Sequence, residues 1–236
     1  MRTPFGEDLW GMDGELSRLL SRSRLYSEEL GIDLAEGGDP ALFRWFLASQ
    51  LFGARISEPL ALRTYHAFER HGLVSPKALL AAGWDYLVNP VMREGGYVRY
   101  DESKSRQLLR NARTLLDRYG GSLERLHEEA SDPRDLERRL QAFHRVGPVT
   151  TNIFLRELRP FWRKADPEPL PRVRELAETL GVDLDAIPRK SLRFARTEAG
   201  LVRLMIRHPK GRKSPRTPGD FLRLAREGLA AGEAAP

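Results

Sequence analysis

Residues 140–155 read LQAFHRVGPVTTNIFL. Leu140 and Phe143 close one apolar helical face, Val146, Gly147 and Pro148 interrupt it, and Ile153, Phe154 and Leu155 resume an apolar face in a different phase. That break predicts two helices joined by a very short turn. Glycine tolerates backbone angles that leave its amide in the open, and proline suits the first position of a helix, where a missing N–H costs nothing. The second helix then turns its free amides and the positive end of its dipole outward, which makes a seat for a phosphate.

The surrounding composition narrows what such a turn can serve. At 236 residues and 41% hydrophobic content, the chain can bury one good core or two modest ones. It contains no cysteine, which excludes disulfides, a cysteine-ligated zinc site and a cysteine-held iron-sulfur cluster. No apolar run approaches the roughly 20 residues that span a bilayer, and MRTPFGEDLW lacks the basic-then-apolar layout of a signal peptide. A cytoplasmic monomer without a membrane partner is expected. The formal charge of +6 favours a polyanionic partner through phosphate neutralisation and counterion release. Arginines scattered over a surface and paired with glutamates would carry the same charge without any ligand.

Helical spacing runs through the chain, with no strand signal. Helices are predicted over Glu15 to Leu30, Ala41 to Phe52, Glu58 to Arg70, Ser75 to Ala82 and Trp84 to Val88. Asn89 to Arg99 reads as a glycine-rich loop, followed by helices over Asp101 to Tyr119, Ser122 to Ala130 and Pro133 to His144. Beyond the hairpin come a loop broken by Pro160, Pro167, Pro169 and Pro171, a helix over Arg172 to Leu180, another over Ser191 to His208, a basic linker from His208 and a last helix over Phe221 to Leu229. The class is therefore all-α. Three stretches are expected: an N-terminal helix (1–38) packing with the C-terminal part, a helical barrel (39–155) ending in the hairpin, and a C-terminal helical subdomain (156–236).

Taken with the segment LASQ at Leu47 to Gln50, the hairpin resembles the helix-hairpin-helix of the endonuclease III-like DNA glycosylases, a superfamily named for that hairpin, a Gly/Pro-rich loop and a catalytic aspartate. The resemblance covers roughly the half of the chain from Ala41 to Leu155. It implies two helical subdomains with a cleft between them and a damaged duplex DNA as partner. The hairpin, through Arg145, Val146, Gly147, Val149, Thr150 and Thr151, would grip the phosphodiester, and backbone carbonyls there would hold a monovalent cation; no other cofactor is implied. Gln50 would fill the stack left by an extruded base. Ser103 and Lys104 answer to a Ser-Lys pair that opens a DNA-facing helix. Tyr97, in the loop before that helix, would stand beside the opposite base, with Tyr100 as the other candidate ring.

Two departures qualify that resemblance. Arg145 stands where the family's hairpin has its first glycine, and Val149 stands where lyase-type members carry a nucleophilic lysine, so lysine chemistry at that position is excluded. A glycosylase without lyase activity needs a loop carboxylate to stabilise the oxocarbenium-like sugar, and Asp166, then Glu168, are the candidates. Counting forward from the hairpin brings Asp166 within a residue of the expected place, whereas counting back from the Leu180-Gly181 helix stop puts Leu170 there. The reading is a monofunctional DNA glycosylase without an iron-sulfur cluster. The competitors are a noncatalytic DNA-binding or lesion-sensing protein on the same fold and a helical protein-interaction module.

Overall fold

Prolines and glycines punctuate the chain where its helices begin and end. In a computed structural model, residues 7–207 are described together with Gly219, Asp220 and Arg223. The basic linker from His208 and the helix expected over Phe221 to Leu229 lie outside the described residues. In chain order the helices are α1 (Glu7–Leu20), α2 (Tyr26–Glu29), α3 (Gly38–Phe52), α4 (Glu58–Arg70), α5 (Pro76–Tyr86), a π-helical segment (Leu87–Met92), α6 (Arg93–Gly95), α7 (Asp101–Tyr119), α8 (Leu123–Glu129), α9 (Pro133–Gln141), α10 (Pro148–Leu158), α11 (Pro171–Thr179) and α12 (Leu192–Arg207). No strand occurs among the described residues, so the chain is all-α as expected. Nor is any described helix long and apolar enough to cross a membrane.

Local chemistry explains most of the boundaries. α4, α5, α9, α10 and α11 each carry proline in the first turn, where its missing N–H leaves no bond unmade. Ser75, Ser122 and Asp132 cap α5, α8 and α9 by accepting the N–H of Ala78, Arg125 and Asp135. α7 stops where Gly120 turns left-handed (φ 65°) and its N–H reaches back to Leu116 O.

Two expectations are corrected. The single helix over Glu15 to Leu30 is broken between α1 and α2. There Arg22 and Ser23 form short i→i−3 bonds, and the Ser21 hydroxyl donates to Arg18 O, a local bond that competes with helix continuation. The loop over Asn89 to Arg99 is helical for much of its length, because Leu87, Val91 and Met92 are all fully buried and draw the backbone into π and α turns despite the interruption at Asn89.

The chain divides into two compact units, one of residues 1–26 with 168–236 and one of residues 27–167. In the first, α12 packs against α1 and α11. Arg196 and Arg203 donate to Ser23 O and Arg24 O, and the Arg203 guanidinium lies 4.1 Å from the centre of the Tyr26 ring. In the second, α3 is the central post, its residues from Ala41 to Leu51 buried except Arg44. α4, α8 and α10 pack around it.

α10 is tied to that post by several contacts. Trp45 Nε1 donates to Phe154 O at 3.0 Å, and the Phe46 ring meets Phe143 and Phe154 edge-on at 5.2 and 5.3 Å. Gly53 caps α3 so close to α10 that a Cβ there would fall 2.2 Å from Thr150 Oγ1. From Thr150 to Leu158 every residue of α10 is buried, so only its first residues emerge at the surface.

Candidate nucleic-acid interface

The α9–α10 turn is built from local bonds. Phe143 N–H donates to Leu140 O and Val146 N–H to Phe143 O, while Phe143 and Val146 drop their side chains into the core. Between them Arg145 takes a left-handed conformation (φ 56°) with its side chain exposed. A left-handed non-glycine residue costs about 1–2 kcal/mol, so the turn keeps glycine-like geometry at the price of strain. Gly147 is extended (φ −98°, ψ −176°) and has no side chain to cap α10. Pro148 brings no donor, and the N–H groups of Gly147, Val149 and Thr150 have no acceptor among the described residues. Open amides, the positive end of α10 and an exposed guanidinium thus share one turn.

What holds the turn is a polar stripe on α7. Lys104, Gln107 and Asn111 are buried at helical spacing on a face that also carries Ser105, Leu108, Ala112, Leu115 and Tyr119. Asn111 Nδ2 donates to His144 O at 3.1 Å and to Gln50 Oε1 at 2.6 Å, and Asn111 Oδ1 accepts His144 N–H at 2.8 Å. Gln107 Nε2 donates to Arg145 O at 3.4 Å. Lys104 Nζ donates to Gln50 O at 3.0 Å and to Gln107 Oε1 at 2.8 Å. The side chains that hydrogen-bond the turn therefore reach it from α7, with Gln50 of α3 behind them bonded to Asn111. A monovalent cation held by this turn would need carbonyls other than those of His144 and Arg145, or share these two with Asn111 and Gln107.

The local charge is positive. Burial, then the Arg145 charge, push the Lys104 ammonium down to about 8. Burial, Arg110 and Arg145 hold His144 below the usual histidine range. No carboxylate acts on either group, and the Arg110 and Arg145 guanidiniums that disfavour their protonated forms favour an anionic ligand.

Several expected contacts are placed elsewhere. Gln50, at 3% exposed, is buried, and its amide is spent on Phe46 O and Asn111 rather than projecting toward a stacked base. Tyr97 is likewise buried at 3%, and burial with the nearby Asp101 raises its phenol above the ordinary value. The ring of that loop that faces outward is Tyr100, at 63% exposed, with the Arg99 guanidinium 5.0 Å from its centre. Thr150 and Thr151 are buried too; Thr150 Oγ1 sits against Gly53, and Thr151 Oγ1 has no hydrogen-bond partner. Val149, at 50% exposed, is the apolar residue at the mouth of the turn.

The carboxylates do not join this cluster through any hydrogen bond or ion pair described. Asp166 lies 3.8 Å from the guanidinium of Arg159, the buried C-cap residue of α10, at the opposite end of that helix from the turn. The same guanidinium donates to Pro167 O, which fixes the proline-rich loop. Glu168 is exposed and bridges Arg174 and Arg189 at 3.2 Å each, within the unit that contains α11 and α12.

Gln107, Asn111, His144 and Arg110 were not singled out from the sequence. The signal for the first two was available, since polar residues at positions 104, 107 and 111 fall on the stripe that also carries Leu108 and Leu115. No protein-family model matches the chain, and no curated protein shows significant similarity to it.

Proposed function

We propose that this chain is a DNA-repair protein that grips a duplex phosphate at the α9–α10 turn and excises a damaged base as a glycosylase without lyase activity at the hairpin. The observation that carries the reading is the turn itself. It combines three unbonded amides at the start of α10, the exposed Arg145 held left-handed, and the positive surroundings that Arg110 and Arg145 create for His144 and Lys104. A phosphate diester satisfies each of these features with one charged group. In this reading Asp166 stabilises the sugar cation that forms as the base leaves, and Arg159 holds its loop in place. Tyr100, rather than Tyr97, is the ring available to stack on an unpaired base.

A second reading has its own support. Asp166 is already paired with a buried guanidinium and Gln50 is locked inside the protein, which favours a lesion-sensing protein that binds without excising. The two readings part on one experiment. The protein is incubated with a panel of duplex oligonucleotides, each carrying one damaged base, and both binding and base release are measured. Release that Asp166→Asn abolishes without loss of binding supports the glycosylase. Binding without release across the panel supports the sensor. Absence of salt-dependent binding refutes both.

A further inference from the structure

A second set of titratable side chains, apart from the turn, lies where the ends of α4, α5 and α6 meet. His71 is the C-cap residue of α4, ahead of Gly72, whose left-handed backbone (φ 68°) ends that helix. Gly83 breaks α5 with a conformation that favours glycine (φ 75°, ψ 176°), and Tyr86 is the last residue beyond the break. Glu94 comes from α6. His71 Nε2 lies 2.7 Å from Glu94 Oε2, and His71 Nδ1 lies 2.8 Å from the Tyr86 hydroxyl. Arg70 donates from Nε and Nη2 to the other oxygen, Glu94 Oε1, at 2.7 and 2.6 Å. Hydrogen bonds from His71 and Arg70 hold the Glu94 carboxyl below the usual carboxylate range, so at neutral pH it is ionised and can only accept. The imidazole therefore keeps its hydrogen on Nε2, and its neutral form offers the Nδ1 lone pair to the Tyr86 O–H. Tyr86 itself remains 42% exposed.

We propose that Tyr86 is a nucleophilic phenol that takes an acyl group from an activated ester, with His71 as its base and Glu94 positioning the imidazole. A nucleophile, a base and an orienting carboxylate linked in series by hydrogen bonds are what such chemistry requires. The Tyr86 oxygen bonds to the ester carbonyl carbon as its proton passes to His71 Nδ1. The bond from that carbon to the leaving oxygen then breaks, and the departing alkoxide takes the proton from Nδ1. An acyl-tyrosine and an alcohol result, the imidazole is neutral again, and no oxidant or metal takes part. The donor class follows from the surroundings of the phenol. The Arg70 guanidinium is engaged by Glu94 rather than offered to a developing oxyanion, and Tyr86 stands open to solvent, so the ester must bring a weakly basic leaving group, as an aryl ester does. Tyr100 makes the comparison within the same chain. It is more exposed, at 63%, and the group over its ring is the Arg99 guanidinium at 5.0 Å, which is no base. None of Tyr86, His71 and Glu94 takes part in the proposed grip on DNA, so this site stands or falls apart from that reading.

Acylation by p-nitrophenyl acetate tests this. Full-length protein is incubated with the ester at neutral pH, and acetylation of each tyrosine is followed over time by peptide mass spectrometry. Acetylation of Tyr86 should outrun that of Tyr100 by more than about tenfold, a modest share of the roughly 10²–10⁴-fold that a placed base supplies. His71→Gln should bring Tyr86 down to the rate of Tyr100. In His71→Gly, added imidazole should restore the Tyr86 rate, which a merely structural role for His71 would not allow. Glu94→Gln should slow the reaction, and Glu94→Asp, which keeps the carboxylate, should retain more of it; equal rates in these two would overturn the positioning role of Glu94. Tyr86 acetylated no faster than Tyr100 in the unaltered protein overturns the proposal without recourse to any variant. So does a Tyr86 rate that His71→Gln leaves unchanged.

Discussion

Replacing Asn111 by leucine tests whether the polar stripe of α7 holds the candidate phosphate seat. Leucine keeps the branching of asparagine at Cγ and is the larger residue, so the change removes hydrogen bonds without opening a cavity. Three bonds are lost: from Nδ2 to Gln50 Oε1 and to His144 O, and from His144 N–H to Oδ1. Each buried polar atom left without a partner costs about 1–3 kcal/mol. Gln50 is buried and pays in full, whereas His144 is half-buried and water can partly repay its two backbone groups. The sum is a loss of about 3 kcal/mol, equivalent to a fall of roughly 6–12 °C in Tm for a chain of this size. Urea unfolding followed by tryptophan fluorescence reads it directly, because Trp45, Trp84 and Trp162 all belong to the unit spanning residues 27–167. Amide exchange at His144 and Val146 should accelerate by more than the global loss of stability explains. A loss below about 1 kcal/mol, which is less than one buried unsatisfied group costs, would show that Phe143 and Val146 hold the turn by packing alone and that the polar stripe is incidental.

Arg145→Gly relieves left-handed strain of about 1–2 kcal/mol at an entropic cost of about 0.5–1 kcal/mol, so the variant should be modestly more stable in urea. It should also bind duplex DNA more weakly, with the slope of log K against log salt reduced by about 1. Lys104, lowered from 10.5 to about 8 in the fold, is more easily protonated when the chain unfolds. Its penalty on stability is full below pH 8 and fades as pH rises to about 10.5, for a gain of at most about 3 kcal/mol. Wild type should therefore gain stability relative to Lys104→Met between pH 7 and pH 10, and a parallel pH profile for the two proteins would contradict the shift. Gly53→Ala drives a methyl onto Thr150 Oγ1 and should cost about 1–3 kcal/mol. Thr150→Ala should recover part of that loss, measured as coupling in a double-mutant cycle.

How much of this was legible in the sequence differs between backbone and side chains. Pro133, Pro148, Pro171 and the Gly120-Gly121 pair mark helix ends through dihedral limits that act within a residue or two, so those boundaries were readable locally. The α9–α10 turn was likewise readable, because Val146, Gly147 and Pro148 interrupt an apolar period. Orientation was not. Gln50 sits at the end of an apolar helix, and nothing within ten residues says that Asn111, 61 positions away, will take its carbonyl oxygen. Tyr97 and Tyr100 look alike on the page, and their exposures are opposite because the turns anchored by buried Leu87, Val91, Met92 and Gly95 lead Tyr97 inward, its N–H donating to Met92 O, whereas Tyr100 opens α7 at the surface. Arg145 hid its strain for a related reason, since a sequence departure from glycine does not reveal whether the backbone follows.

The most direct test of the phosphate seat is the amide spectrum of the turn. In a 1H–15N correlation experiment with a short duplex titrated at low salt, the Gly147, Val149 and Thr150 amides, which have no acceptor in the free protein, should move downfield as a phosphate oxygen accepts from them, and raising the salt should reverse the shift. If the duplex binds while these three amides stay still and the shifts gather on other helices, the α9–α10 turn is not where DNA is held.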